Sequence, residues 1–323
     1  MKAMVIEAGQ LALRDVADPV PAAGELLVAV KAAGLNRADL ALRSGHYEKI
    51  ATRPPAPIAG LEAAGEVIAL GPGVQGFRIG DRVMGMPSGS YAEKTLLQHR
   101  LALPVPPGLS WEEAAALPVA LFTAHDALVS NAALRKGEAV LIQGATTGVG
   151  IVAAQIARYF GAGIVMGTSR SREKLLAMKA YGLEVGLQPE TFPEKALEAT
   201  GGKGADVILD FVGASAAAGH LQCAATGARW IQIGRMSGAL AQIDLNELSR
   251  RRVHLIGVTF RSRSLEEFAE VVASAQRHLG EALGARRLRS PLDRVFRLEE
   301  ASAAHERMRS NAHLGKIVLR IGS

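Results

Sequence analysis

Apolar and polar positions follow one rhythm up to about residue 109 and another beyond residue 139. In the first stretch ELLVAVKAAG (25–34) reads as a strand. GLEAAGEVIALGPGVQGFRIGDRVMG (60–85) then alternates short apolar runs with Gly, Pro and Asp turn signals. This part is predicted to be β-rich and interrupted. SWEEAAALPVALFTAHDALV (110–129) changes the texture: Ser110 is placed as an N-cap, acidic residues fill the first turn, and apolar residues follow at helical spacing. Pro118 is expected to divide it into two helices.

From Ala139 the apolar runs AVLIQ, GIVMGTS, DVILDFVG, RWIQIG and VHLIGVTF read as buried strands. Helical patterns lie between several of them, including REKLLAMKAYG and the run around ASAAAGHLQCA. Strands that alternate with helices predict a parallel sheet covered on both faces, an α/β class. SLEEFAEVVASAQRHLG gives one more amphipathic helix, and KIVLRI a last strand.

A length of 323 residues suits a sizeable core and two domains better than one. The single cysteine, Cys223, can neither close an internal disulfide nor build a cysteine-based metal site, so a reducing, cytoplasmic setting is expected. No apolar run reaches membrane-spanning length, and MKAMVIEAGQLAL lacks the pattern of a secretory signal. The net charge of +6 is diffuse, with local clusters at Arg250-Arg251-Arg252 and Arg286-Arg287. Such scatter favours solvated faces and a few phosphate contacts over a nucleic-acid surface.

Chemistry enters at LIQGATTGVGIVAAQIARYF (141–160), an apolar strand, a turn of small residues and a helix. Gly144, Thr147, Gly148, Val149 and Gly150 stand where unpaired N–H groups and the helix dipole favour a pyrophosphate. The next strand ends in Gly167-Thr168-Ser169-Arg170-Ser171, without the carboxylate that usually binds a bare ribose 2′-hydroxyl. Ser169, Arg170, Ser171, Arg172 and Lys174 could instead receive a 2′-phosphate. NADP(H) is therefore the expected cofactor.

Several ordered stretches resemble the medium-chain dehydrogenase/reductase superfamily over nearly the whole chain. They are GLNRADLALRSGHY, GLEAAGEVIALGPGV, FRIGDRVMG, LPVALFTAHDAL, GATTGVGIVAAQIA, GADVILDFVG and LGKIVL. The likeness is closest to its zinc-free quinone oxidoreductase branch, which includes zeta-crystallin-like proteins. It implies a Rossmann doubly wound parallel sheet (residues 119–259) and a GroES-like β-rich catalytic domain assembled from residues 1–118 and 260–323. Three positions depart from the branch. Gly144 stands where its A-x-x-G-x-x-G loop usually has alanine, and Thr147 where a loop glycine is usual. Gln188 lies near a position where relatives often carry Tyr beside the adenosine phosphate.

Zinc alcohol dehydrogenases of the superfamily place a Cys ligand near Asn36 and a His ligand in a G-H-E motif. This chain reads Gly60-Leu61-Glu62 there, its eight histidines are scattered, and one cysteine cannot form the four-cysteine zinc lobe. No metal is expected. Hydride addition to a ketone creates an alkoxide of basicity near hydroxide from bulk water, pKa about 15.7. Addition to a quinone creates a phenolate-like anion nearer the tyrosine value of about 10. At ~1.4 kcal/mol per pKa unit, the site has several kcal/mol less charge to stabilise.

By motif match the resemblance implies site roles for Asn36, Tyr47 and Thr123 near substrate and nicotinamide. Val212, Gly234, Met236, Phe260, Arg261 and Lys316 are implied as cofactor contacts. Asn36 also reads as a helix cap, Tyr47 as core packing, Arg37 and Asp39 as a helix-start pair, and Glu62 as structural. The expected activity is NADPH-dependent quinone reduction. An enone or alkenal reductase shares every motif, and a nucleotide-sensing or RNA-binding protein of little turnover is the alternative from another class. A homodimer through the Rossmann sheet edge is implied, with IDLNELSRRRVHLIGV (243–258) as the interface.

Overall fold

The computed structural model describes residues 1–43 and 57–322, which divide into two compact units. One comprises Met1–Phe122 with the stretch from Phe260 onward; the other is Thr123–Thr259.

In the first unit the strands are β1 (Lys2–Glu7), β2 (Gln10–Asp15), β3 (Glu25–Gly34), β4 (Ala63–Leu70), β5 (Arg82–Gly85), β6 (Lys94–Gln98) and β7 (Ala102–Pro104). The second unit contributes β8 (Ala139–Gln143), β9 (Ile164–Thr168), β10 (Val185–Leu187), β11 (Ala205–Asp210), β12 (Ala224–Gln232) and β13 (His254–Gly257). The chain then returns to the first unit with β14 (Leu292–Arg297) and β15 (Lys316–Arg320).

The first unit's larger sheet runs β14-β15-β3-β4-β5-β7, with β6 also on β3. Along one edge β3 pairs with β6 through Glu25–Ala29 and with β15 through Ala32–Gly34; its other edge pairs with β4. Strand β3 alternates buried and half-buried residues, as expected of a sheet with one covered face. Its core gathers Met4, Val30, Leu35 and Tyr91 from early in the chain with Leu298, Met308, Ile317 and Leu319 from late in it. The helices Trp111–Ala115 and Pro118–His125 separate at Pro118, and Ser110 caps the first in a reciprocal capping box with Glu113.

The second unit is a parallel sheet in the order β10-β9-β8-β11-β12-β13. Counted within the unit this is 3-2-1-4-5-6, the doubly wound order, with its reversal between β8 and β11. The central strands β8 and β11 are buried at every residue, which explains their unbroken apolar runs. The fold is thus an α/β Rossmann sheet with a GroES-like β-rich unit. Among the described residues no helix is long and apolar enough to cross a membrane.

Candidate functional site

The carboxyl end of β8 meets the helix Gly148–Tyr159 through a turn that leaves little room for side chains. Gly144 has φ +81°, a left-handed conformation that costs glycine little. Thr147 caps the helix, its Oγ1 accepting from the Gly150 N–H at 3.1 Å and donating to the Gly144 carbonyl at 2.9 Å. A Cβ on Gly150 would lie 2.7 Å from the carbonyl oxygens of Gly144 and Ala145. Thr147 therefore serves as the cap, and close packing at Gly150 seats the helix against the strand. Gly148 and Val149 open that helix.

Beside this turn, Thr168 ends β9, accepting from the Gly144 N–H at 3.0 Å and donating to Gln143. Ser169 follows, its Oγ 3.1 Å from Thr146 Oγ1 and accepting from the Ser171 N–H. Ser171 caps the helix Arg172–Ala177 by accepting from the Lys174 N–H. Arg170 is exposed, and Gln188 donates to the Ser169 carbonyl at 3.1 Å. Val212 follows β11, and Gly234 and Met236 follow β12. Within this unit the glycine turn, Ser169–Ser171, Val212, Gly234 and Met236 thus all lie at carboxyl ends of parallel strands, where doubly wound sheets bind ligands. These residues fit a dinucleotide.

Beneath that edge Asp210 fixes the loop after β11. Its Oδ1 accepts from the Val212 and Gly213 N–H groups at 2.8 Å each, and its Oδ2 accepts from Trp230 Nε1 at 3.2 Å. Buried His220 lies 3.7 Å from the same Oδ2 and packs edge-on against Trp230. Burial pushes His220 down to about 4, against the pull of Asp210. Sequence reasoning passed over this group. An acidic residue closing an otherwise apolar strand run was the signal.

The first unit holds a second buried constellation. Asn36, just before the helix Arg37–Arg43, donates from Nδ2 to Glu62 Oε1 at 2.8 Å and accepts at Oδ1 from Lys316 Nζ at 2.9 Å. Lys316 Nζ also donates to Glu62 Oε1, closing a three-residue ring. The other Glu62 oxygen accepts from the Val119 N–H at 2.8 Å, at the start of the helix that carries Thr123. Lys316, expected as a cofactor contact or a solvated residue at the start of its strand, has a side chain 4 % exposed, and its ammonium is directed into the ring; Glu62 is 0 % exposed. Asp39 adjoins the ring. Its Oδ2 accepts from the Asn36 N–H at 2.7 Å and from the Tyr91 hydroxyl at 3.0 Å. Burial raises Asp39 to about 7, with Lys316 opposing and Glu62 adding to the shift.

The remaining candidates are placed as follows. Thr123 is half-buried in the helix Pro118–His125. Phe260 and Arg261 fall in the first unit, where Phe260 packs on Phe268 at 4.8 Å between ring centroids. Tyr47 lies outside the described residues.

A zinc ion does not fit the donors at Asn36, Leu61 and Glu62. Leu61 offers only an alkyl side chain, and the ammonium of Lys316 already stands against the oxygens of both other residues. Among the described residues no group of three His, Cys, Asp or Glu side chains converges elsewhere. Cys223 is buried, which pushes its thiol up to about 12 and leaves it unreactive.

Residues 148–277 match the family described as zinc-binding dehydrogenase, and residues 22–107 the alcohol dehydrogenase GroES-like domain. The chain is 33 % identical over 310 residues to a quinone oxidoreductase of Rattus norvegicus, spanning 94 % of this chain and 92 % of that one. It belongs to the quinone oxidoreductase branch of the medium-chain dehydrogenase/reductase superfamily. As a member it is an oxidoreductase. Two solved structures are similar. A mycobacterial protein complexed with NADPH superposes with TM-score 0.88 at 28 % identity, covering 99 % of this chain and 100 % of that one. The CurK enoyl reductase gives TM-score 0.85 at 25 % identity, covering 99 % of each chain.

Proposed function

We propose that this protein is an NADPH-dependent quinone oxidoreductase that works without a metal ion. One observation carries the reading: the cation beside Asn36 is Lys316, built into the fold and already paired with Glu62. A site of that kind supplies hydrogen bonds but no Lewis acid. It suits an acceptor whose reduced form spreads its own charge, as a hydroquinone anion does and a simple alkoxide does not. The relatives named quinone oxidoreductases support the same acceptor.

The N–H groups opening the helix Gly148–Tyr159 receive the pyrophosphate, with Gly144 and Thr147 shaping the turn. Ser169, Arg170, Ser171 and Lys174 take the 2′-phosphate, and the likeness to an NADPH complex supports that choice. Val212, Gly234 and Met236 line the rest of the dinucleotide, and Thr123 its nicotinamide ribose. Bound NADPH supplies a hydride, and a solvent proton completes the hydroquinone. Asn36 donates to the acceptor oxygen as charge develops there, and Tyr47 holds the flat ring. Orientation contributes most of the acceleration.

A second reading, reduction of an enone or alkenal C=C bond, is favoured by the likeness to an enoyl reductase. The delocalised enolate formed there makes a similar demand on Asn36. A panel of quinones, enones and alkenals, followed by loss of NADPH and NADH absorbance, separates the two. Quinone turnover with NADPH preferred supports the first reading; turnover of enones alone replaces it with the second.

The protein is further proposed to form a homodimer through β13. That strand pairs with β12 on one side only among the described residues, and Leu245 and Leu255 nearby are exposed.

A further inference from the structure

The orientation of a carboxamide is normally ambiguous, because its oxygen and nitrogen are alike in size. At Asn36 it is settled by chemistry. An ammonium only donates, so the atom facing Lys316 must be the oxygen; a carboxylate only accepts, so the atom facing Glu62 must be the nitrogen. Turning the amide over would set N–H against N–H and oxygen against oxygen in a buried site, losing two charge-assisted hydrogen bonds. The nitrogen carries two hydrogens, and Glu62 takes one. The second has no partner among the described residues. Asn36 keeps 9 % exposure, whereas Lys316 and Glu62 keep 4 % and 0 %, so Asn36 is the least covered member of the ring. The ammonium on Oδ1 also draws electron density from the amide and strengthens its remaining N–H as a donor.

We propose that Lys316 and Glu62 are positioning residues that lock the Asn36 carboxamide with a free N–H outward, making the site selective for acceptors whose carbonyl oxygen gains negative charge. This rests on the reading that Asn36 faces the acceptor. The two residues act through Asn36, without touching the substrate. Val119 ties Glu62 to the start of the helix Pro118–His125, so the ring and its anchor draw on four separate segments of the chain.

The test combines kinetics with a spectrum that needs no turnover. Lys316→Met is expected to lower kcat for a reactive quinone at least tenfold while the KM for NADPH changes less than twofold. Adding Lys316→Met to Asn36→Ala is expected to cost less than a further twofold, because the lysine acts only through the amide. Losses that multiply, or an unchanged kcat in Lys316→Met, would overturn the proposal.

Should Lys316→Met not fold, the wild-type protein carries the second arm. With ¹⁵N-asparagine labelling, the Asn36 side-chain amide is assigned by its absence in Asn36→Ala. The hydrogen held by Glu62 is expected to exchange with D2O at least tenfold more slowly than those of exposed Asn246. Equal rates would mean that no lock exists. If the lock is seen but wild-type protein reduces no acceptor in the panel, the reductase reading fails, and the positioning role with it. The two failures are thus told apart.

Discussion

The hydroxyl of Tyr91 donates to Asp39 Oδ2 at 3.0 Å in a part of the first unit from which water is excluded. The carboxyl's other oxygen, Oδ1, is buried without a partner among the described residues and is the natural seat for a proton. One ammonium, Lys316, serves two carboxyl groups, and Glu62 holds it directly. When Asp39 is protonated, the cluster carries no net charge.

This arrangement sets a pH dependence. Burial raises Asp39 from the ordinary carboxylate range to about 7. Between those values the folded protein keeps a proton that the unfolded chain has lost. The contribution to stability therefore falls as pH rises through the window and levels off above about 7. Asp39→Asn, which stays neutral throughout, should gain on the wild type by at least about 1 kcal/mol between pH 5 and pH 8 in urea melts. A difference that stays constant across that range would show Asp39 to be ionised already at the lower pH.

Histidines supply the opposite slope. His220 and His305 are both buried with neither ring nitrogen hydrogen-bonded among the described residues. Burial lowers each to about 4. From the ordinary value of 6.5 down to that point, the unfolded chain takes up protons that the folded chain refuses. Stability is fully present above pH 6.5 and lost as the pH falls toward 4. His220→Leu should stay within about 1 kcal/mol of wild type at pH 8 and exceed it at pH 5, since no hydrogen bond from its ring is given up. Greater acid sensitivity in the variant would mean that the imidazole stabilises the fold through Asp210.

At the glycine turn, Gly150→Ala pushes a methyl against two backbone carbonyls that have no easy way to yield. The helix start must shift away from β8. A rise of at least tenfold in the Kd for NADPH, read by nicotinamide fluorescence, is the expected result. Thr147→Ala should lose only the cap, about 1 kcal/mol of stability. Unchanged NADPH affinity in Gly150→Ala would place the dinucleotide elsewhere.

The proposed dimer has an equally simple check. Leu255 on β13 is 44 % exposed. Leu255→Asp sets like charges face to face in a pair of such edges, and light scattering is expected to report a monomer. A variant as large as the wild type, or a monomeric wild type, would remove this edge as the interface.

Local features were legible in the sequence. The strand over Glu25–Gly34, the cap at Ser110, the break at Pro118 and the turn at Gly144–Gly150 each depend on residues close together in the chain. The ring at Asn36 was not. Glu62 lies 26 residues from Asn36 and 254 from Lys316, and Tyr91 lies 52 from Asp39. Periodicity is blind to such pairings. An acid inside the small, apolar run AGLEAAG announced that a partner was needed, without saying which of many basic residues it was. Asn36 and Asp39 looked like an ordinary helix start, and Asp39 does serve that start. Its second engagement, with Tyr91, becomes visible only when the strands are assembled.

Strand β3 has one further consequence, and it concerns synthesis. Its last residues, Ala32 to Gly34, pair with Val318 to Arg320, which a ribosome makes almost three hundred residues later. The second unit, Thr123–Thr259, is contiguous and has all of its sheet partners at hand while translation is still under way. The second unit can therefore settle first, and the unit that carries Asn36 closes only after Lys316 to Arg320 have been made, so no copy that stops short of β15 holds an assembled ring.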